Sequence, residues 1–144
     1  MTVLIMPKKT NSPRRKRTPQ ELRDLDLEIL FMEGVIQRDP SYIEALQILG
    51  DDYTRRGRFE EGLRIDERLA RLCPQDAVVH YNLACSYSLT RQCDLAVEAL
   101  TTAINFGYKD FDQMAKDPDL KNLREHAGYK KIQARIRRTP VKET

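Results

Sequence analysis

The sequence predicts an all-α fold of paired, packed helices, and three observations carry that expectation. The chain repeats itself at a spacing of 34 residues, its apolar residues recur at helical intervals, and cap and proline signals fall between the apolar runs. With 144 residues, 40% of them hydrophobic and 33% charged, and no tryptophan, the chain holds one domain with a large surface for its core. An elongated helical layer suits that balance better than a sphere.

The repeat is legible residue by residue. Pro40 and Pro74, Leu49 and Leu83, Gly50 and Ala84, Tyr53 and Tyr87, and Gly62 and Ala96 all stand 34 apart, large residues matching large and small matching small. Leu46, Leu49 and Tyr53 lie at i, i+3 and i+7, as do His80, Leu83 and Tyr87, so each trio makes one helical stripe. Two helices joined by a short turn approach closely where one presents Gly or Ala; Gly50, Gly62, Ala84, Ala96 and Ala103 are such places.

Taken in chain order, Thr18-Pro19-Gln20-Glu21 is a capping box with proline at the first helical position. Leu22, Leu25, Ile29, Met32 and Ile36 follow on one face, and Pro40 ends the helix as Pro74 ends a later one. Ser41 with Glu44 reads as a second capping box, and Asp76 as the N-cap of a later helix. Helices are thus predicted near 41–56, 59–72, 76–90 and 93–106. Beyond 106 the period breaks. Gly107 suits a helix C′ position, 108–115 gives a short helix, Asp117-Pro118 starts another turn, and a last helix runs from Ala127 to Arg138.

The unit Leu46-Gln-Ile-Leu49-Gly50-Asp-Asp-Tyr53, with Gly57, Phe59 and Gly62 and a close at Leu72-Cys73-Pro74, resembles the tetratricopeptide repeat. The second unit, His80-Tyr-Asn-Leu83-Ala84-Cys-Ser-Tyr87 with Ala96, Leu100 and Ala103, carries the same likeness. It departs from the pattern at Arg91-Gln92, where the family has a turn glycine, and at Tyr108, where it has proline; in the first unit Leu46 stands where tryptophan is common. Tyr108 to Phe111 and Asp117 to Leu123 are similar to the closing segment of many bacterial tetratricopeptide arrays. The resemblance implies a right-handed helix-turn-helix repeat solenoid over 20–138, with units at about 41–74 and 75–108, an N-terminal half-repeat helix and an irregular C-terminal helical cap. Residues 1–19 are then expected as a disordered basic tail and 139–144 as a second tail.

Groups able to do covalent chemistry are scarce. Of two histidines, His80 falls at a packing position and His126 at a helix junction, as a cap or surface residue. Cys73, Cys85 and Cys93 form no CxxC pair and read as buried or half-buried thiols of a reducing compartment. Asp51-Asp52 and Glu60-Glu61 look like solvated helix surface, and there is no glycine-rich phosphate loop, HExxH or GxSxG. The expectation is a protein that is not an enzyme and takes no cofactor or metal. The opening run Met1 to Met6 is shorter than a signal-peptide core and its cations follow it, so a cytoplasmic chain without a membrane span is expected.

In the family, the first helix of each pair lines a concave groove. Carried over, that implies partner-binding residues at Glu44, Gln47, Asp51, Val78, Tyr81, Asn82 and Cys85. Asn82 matches an asparagine that helps grip a peptide carboxylate in chaperone-binding members, but Gln47 and Asp51 replace the lysine or asparagine those members use. An acid there repels a carboxylate, so a basic or polar peptide is the expected ligand of a protein-protein interaction adaptor or scaffold.

Charge adds an alternative. The net charge is +3, with +6 in residues 1–19 and +5 in 128–144, which leaves −8 between them. Lys8, Lys9, Arg14, Arg15, Lys16 and Arg17 stand among prolines without aromatic residues, an anion-binding element that gives salt-sensitive, sequence-independent contact with phosphates. A nucleic-acid- or ribosome-associated factor using the basic termini is therefore the second expectation. The tail could equally dock on its own acidic body, and a homodimer through an open end of the stack stays open.

Overall fold

The computed structural model describes residues 16–138, and all of its regular structure is helical, with no strand among the described residues. The order is α1 (Pro19–Arg38), α2 (Ile43–Arg56), α3 (Phe59–Leu72), α4 (Ala77–Leu89), α5 (Cys93–Asn105), α6 (Phe111–Lys116), a 3-10 turn (Pro118–Leu120), α7 (Lys121–Arg124) and α8 (Ala127–Arg138). Of the tail expected over 1–19, residues 1–15 lie outside the described residues, as does 139–144, while Thr18 and Pro19 are the N-cap and first residue of α1.

Local chemistry sets these bounds. The Thr18 hydroxyl accepts from the Glu21 amide at 3.2 Å and the Glu21 carboxylate accepts from the Thr18 amide at 2.9 Å, so the first capping box forms and α1 starts at Pro19. Asp76 caps α4 through the amides of Val78 and Val79. The box expected at Ser41 and Glu44 does not form. The Ser41 amide turns back to Asp39 Oδ1 at 3.3 Å, Tyr42 becomes the N-cap without a side-chain bond, and α2 begins at Ile43 rather than 41. The short helix expected at 108–115 starts later, at Phe111, because Asp110 caps it by accepting from the Gln113 amide.

Backbone geometry recurs 34 residues on. Asp39 and Cys73 end α1 and α3 with amides donating to Val35 and Leu69; Tyr42 and Asp76 then donate to the carbonyls of Asp39 and Cys73. The turns within the two pairs also match. Gly57 (φ 84°) and Arg91 (φ 61°) both take left-handed backbone, followed by Arg58 and Gln92, whose amides reach the carbonyls of Tyr53 and Tyr87 at 2.8 Å. Arg91 is the one described non-glycine residue at positive φ, where its Cβ costs about 1 kcal/mol or more.

Neighbouring helices run antiparallel. A Cβ on Gly50 would meet Ile65 and Asp66 at 3.2 and 3.3 Å, and one on Gly62 would meet Thr54 at 3.2 Å, so α2 and α3 touch where the sequence placed its small residues. Tyr53 donates to Glu33 across α1 and α2, and Tyr87 donates to Glu67 across α3 and α4, the same contact one period later. Arg56 adds an ion pair to Asp26 of α1 at 2.7 Å. One core of Ile29, Ile36, Leu46, Leu49, Ile65 and Leu69 joins α1, α2 and α3. A second, around Leu83, Leu100, Met114, Leu120, Leu123, Tyr129 and Ile132, joins the α4–α5 pair to the closing segment. A Cβ on Gly128 would lie 2.6 Å from Val97, so only glycine lets α8 seat this closely on α5.

Candidate functional site

A cleft enclosing about 720 Å³, open solvent included, has α2, α3, α4 and the 3-10 turn as its walls. Ile48, Leu69, Val79 and Leu89 provide apolar lining; Asp51, Asp66 and Asp119 bring three carboxylates to it. Of the groove residues expected from sequence, the fold brings Gln47, Asp51, Asn82 and Cys85 together here. Glu44 is exposed in the first turn of α2 and Val78 half-buried in the first turn of α4, and neither lines the cleft.

Tyr81 does not meet the cleft either. It is 1% exposed, its O–H donates to Asp117 at 2.7 Å, and its ring stacks on Tyr108 with centroids 4.2 Å apart. Burial and the facing Asp117 carboxylate push its phenol far above the usual range. The segment after α5 thus covers the side chain expected to face a partner. Cys85, also buried, lies with its Sγ 3.8 Å from Asp117 on the same inner wall. Asp117 in addition accepts from the Gln113 side chain at 3.2 Å and the Asp119 amide at 2.9 Å, while Arg124 donates to the Asp117 carbonyl at 2.7 Å.

Within the cleft, Ser86 donates to Asp66, tying α4 to α3. The Asn82 Oδ1 is buried without a hydrogen-bond partner, an acceptor left open at the cleft wall. Asp51 lies 3.6 Å from Arg55 of its own helix. Sequence reasoning missed Asp66, Ser86, Leu89 and Asp119. One signal was readable: Gly62, Asp66 and Leu69 share a stripe at i, i+4 and i+7, so an acid stands among residues that face a neighbouring helix. Asp119 had no local signal, because it reaches the cleft through chain reversal.

The remaining titratable candidates have structural partners. His80 stacks on Phe106 at 5.7 Å and its Nε2 lies 2.7 Å from the Pro74 carbonyl. Partly buried rather than in the core, it ties the start of α4 to the turn before it. His126 Nδ1 accepts from the Gly128 amide at 3.0 Å and Nε2 faces Asp94 at 2.9 Å, a cap on α8. Burial raises the Cys73 and Cys93 thiols, which weakens them as nucleophiles. In the basic run, Arg17 donates to the Arg55 carbonyl at 3.0 Å, at the C-terminal end of α2, while Lys16 is exposed. Lys8, Lys9, Arg14 and Arg15 lie outside the described residues.

The outer face of α8 is uniformly basic. Lys130, Lys131, Arg137 and Arg138 are exposed there around Ala134, and α8 contains no acid. Tyr129 and Ile132 point the other way, into the core. No helix among the described residues is long and apolar enough to cross a membrane.

No protein-family model matches the chain. It is similar to a chloroplastic protein of Arabidopsis thaliana, with 32% identity over 113 residues that make up 75% of this chain and 32% of that protein. The chain therefore spans about a third of the length of the relative it matches.

Proposed function

We propose that this chain is a tetratricopeptide-like interaction module whose cleft holds an extended peptide bearing a basic side chain. The recurrence at 34 residues supports the repeat reading, in α1–α2 against α3–α4 contacts as well as in the two turns. The cleft supports the ligand reading. Its Asp51, Asp66 and Asp119 set a negative potential over apolar walls, and the buried Asn82 Oδ1 calls for an N–H donor, which a peptide amide or a lysine or arginine side chain supplies. That orphaned acceptor beside three carboxylates is the observation that carries the proposal. It replaces the carboxylate grip of chaperone-binding relatives with the opposite charge preference.

Fluorescence anisotropy with labelled extended peptides of equal length tests it, one set rich in lysine and arginine, one rich in glutamate. Binding of the basic set alone, weakened about tenfold or more by Asp51→Lys, is the expected result. Equal binding of both sets, or no effect of Asp51→Lys, overturns the proposal.

A second reading rests on the outer face of α8, where Lys130, Lys131, Arg137 and Arg138 present four cations to a polyanion such as RNA. No exposed aromatic residue stands among them, so contact is with phosphates and indifferent to base sequence. Four contacts to a single strand give a slope of about −3 in log K against log salt. A flat response removes this reading.

A further inference from the structure

The cleft is lined by Asp51, Asp66 and Asp119 and, among its described lining, by no cation, while the chain brings its densest run of cations to one end of it. Arg17 fixes the place. Its guanidinium donates to the Arg55 carbonyl at 3.0 Å, which holds the stretch just before α1 against the C-terminal end of α2. Thr54 and Asp51, on the last two turns of that helix, belong to the cleft wall. Residues 7–15, directly before the anchored stretch, carry Lys8, Lys9, Arg14 and Arg15, two prolines and no acid. The reach suffices. The α2 wall from Thr54 to Gln47 is about 10 Å long at 1.5 Å per helical residue, and an extended chain covers up to about 3.5 Å per residue, so Arg14 and Arg15 attain Asp51 and Lys9 attains Gln47. Acids near that end but outside the cleft are already matched, Asp26 with Arg56 and Glu61 with Arg58, each at 2.7 Å. The basic face of α8 cannot serve instead, because Tyr129 and Ile132 seat that helix in the core.

We infer that residues 7–15 dock in the cleft of their own chain and act as a tethered competitor of the partner peptide, an inference that rests on the cleft reading proposed above. Arg14 or Arg15 then meets Asp51, and the rest of the segment follows the acidic wall toward Gln47. An N–H of the segment supplies the donor that the Asn82 Oδ1 calls for. Tethering makes weak contacts count. A short linker gives an effective concentration of about 1 mM, so a segment whose affinity in free solution is only about 0.1 mM fills the cleft roughly nine-tenths of the time. A partner peptide then binds about tenfold more weakly than the open cleft allows, and it has to displace the segment to bind at all.

Fluorescence anisotropy with a labelled peptide copying residues 7–17 tests the inference. It compares the unaltered full chain with a full chain carrying Lys8→Ser, Lys9→Ser, Arg14→Ser and Arg15→Ser together, positions outside the described fold. The substituted chain is expected to bind the peptide about tenfold or more tightly, and Asp51→Lys added to it removes that gain. Equal, measurable affinities of the two chains overturn the inference and leave the cleft reading standing; binding by neither chain overturns the cleft reading and the inference with it. Carbodiimide cross-linking of the unaltered chain at low micromolar concentration, mapped by mass spectrometry, reads the contact itself. Amide links within one chain from Lys8 or Lys9 to Asp51 or Asp119, lost in high salt, are the expected result. Links only to acids outside the cleft, or only between two chains, overturn the inference.

Discussion

Asp52 and Asp117 are buried to the same degree, each 1% exposed, yet they serve the two ends of the molecule in opposite ways. Asp117 gathers donors from Tyr81, Gln113 and the Asp119 amide, and it fastens the closing segment onto α4. Asp52 faces α1 with its Oδ2 unpartnered and Glu28 close by. Burial and that neighbouring carboxyl push Asp52 up to about 8, and Arg55 at 3.8 Å does not offset them. A buried acid that is fully donated to holds an element in place at any ordinary pH; one that meets another carboxyl does so only while the pair keeps a proton. Among the described residues, the closing segment is fastened down and basic outside, while at the other end a buried acid meets a second carboxyl and α1 presents an apolar face.

The largest expected effect breaks the sealed end. Asp117→Ala removes the carboxylate that accepts from the Tyr81 hydroxyl, the Gln113 side chain and the Asp119 amide, and should lower stability by about 3 kcal/mol, read by urea unfolding at pH 7. Leu123→Ala, at a fully buried position of the same segment, should cost about 2–4 kcal/mol, whereas Leu30→Ala on the open face should change the stability of the monomer by less than about 0.5 kcal/mol. Equal losses at the two sites would erase the contrast between the ends.

Asp52 sharpens the contrast through pH. The unfolded chain releases this proton near 3.8 and the folded chain near 8, so between those values the folded state binds more protons and stability falls as pH rises. Asp52→Asn should flatten that decline, with its gain in stability largest at pH 8 and little change at pH 4. Thermal unfolding of both proteins across pH 4–9 reads it. The smallest effect lies between the ends. Arg91→Gly relieves left-handed strain at the position that corresponds to Gly57 and should stabilise by about 0.5 kcal/mol.

Much of this architecture was legible in the sequence because it is local. The Thr18 and Asp76 caps, the Gly107 bend at φ 105° and the close approach at Gly50 and Gly62 each follow from residues a few positions apart. Ser41 failed as a cap for an equally local reason, since the preceding Asp39 competes for its amide. The site was only half legible. Gln47, Asp51 and Asn82 share the cleft as the repeat positions imply, but Tyr81 is claimed by Asp117, 36 residues away, and Asp119 arrives at the cleft by the same reversal. No periodicity encodes a segment that folds back outside the period. Gly128, whose contact with Val97 seats α8, was likewise silent until the helices were placed.

The stacked rings of Tyr81 and Tyr108 also give the molecule an optical handle. With six tyrosines and no tryptophan, the near-ultraviolet circular dichroism to the red of the phenylalanine bands reports tyrosine environments, and two nearly parallel phenols stacked 4.2 Å apart couple as an exciton pair. Their signal depends on the closing segment lying against α4. Loss of that band while the far-ultraviolet helical spectrum persists would therefore time the undocking of the C-terminal end, separately from melting of the helices, with no label attached.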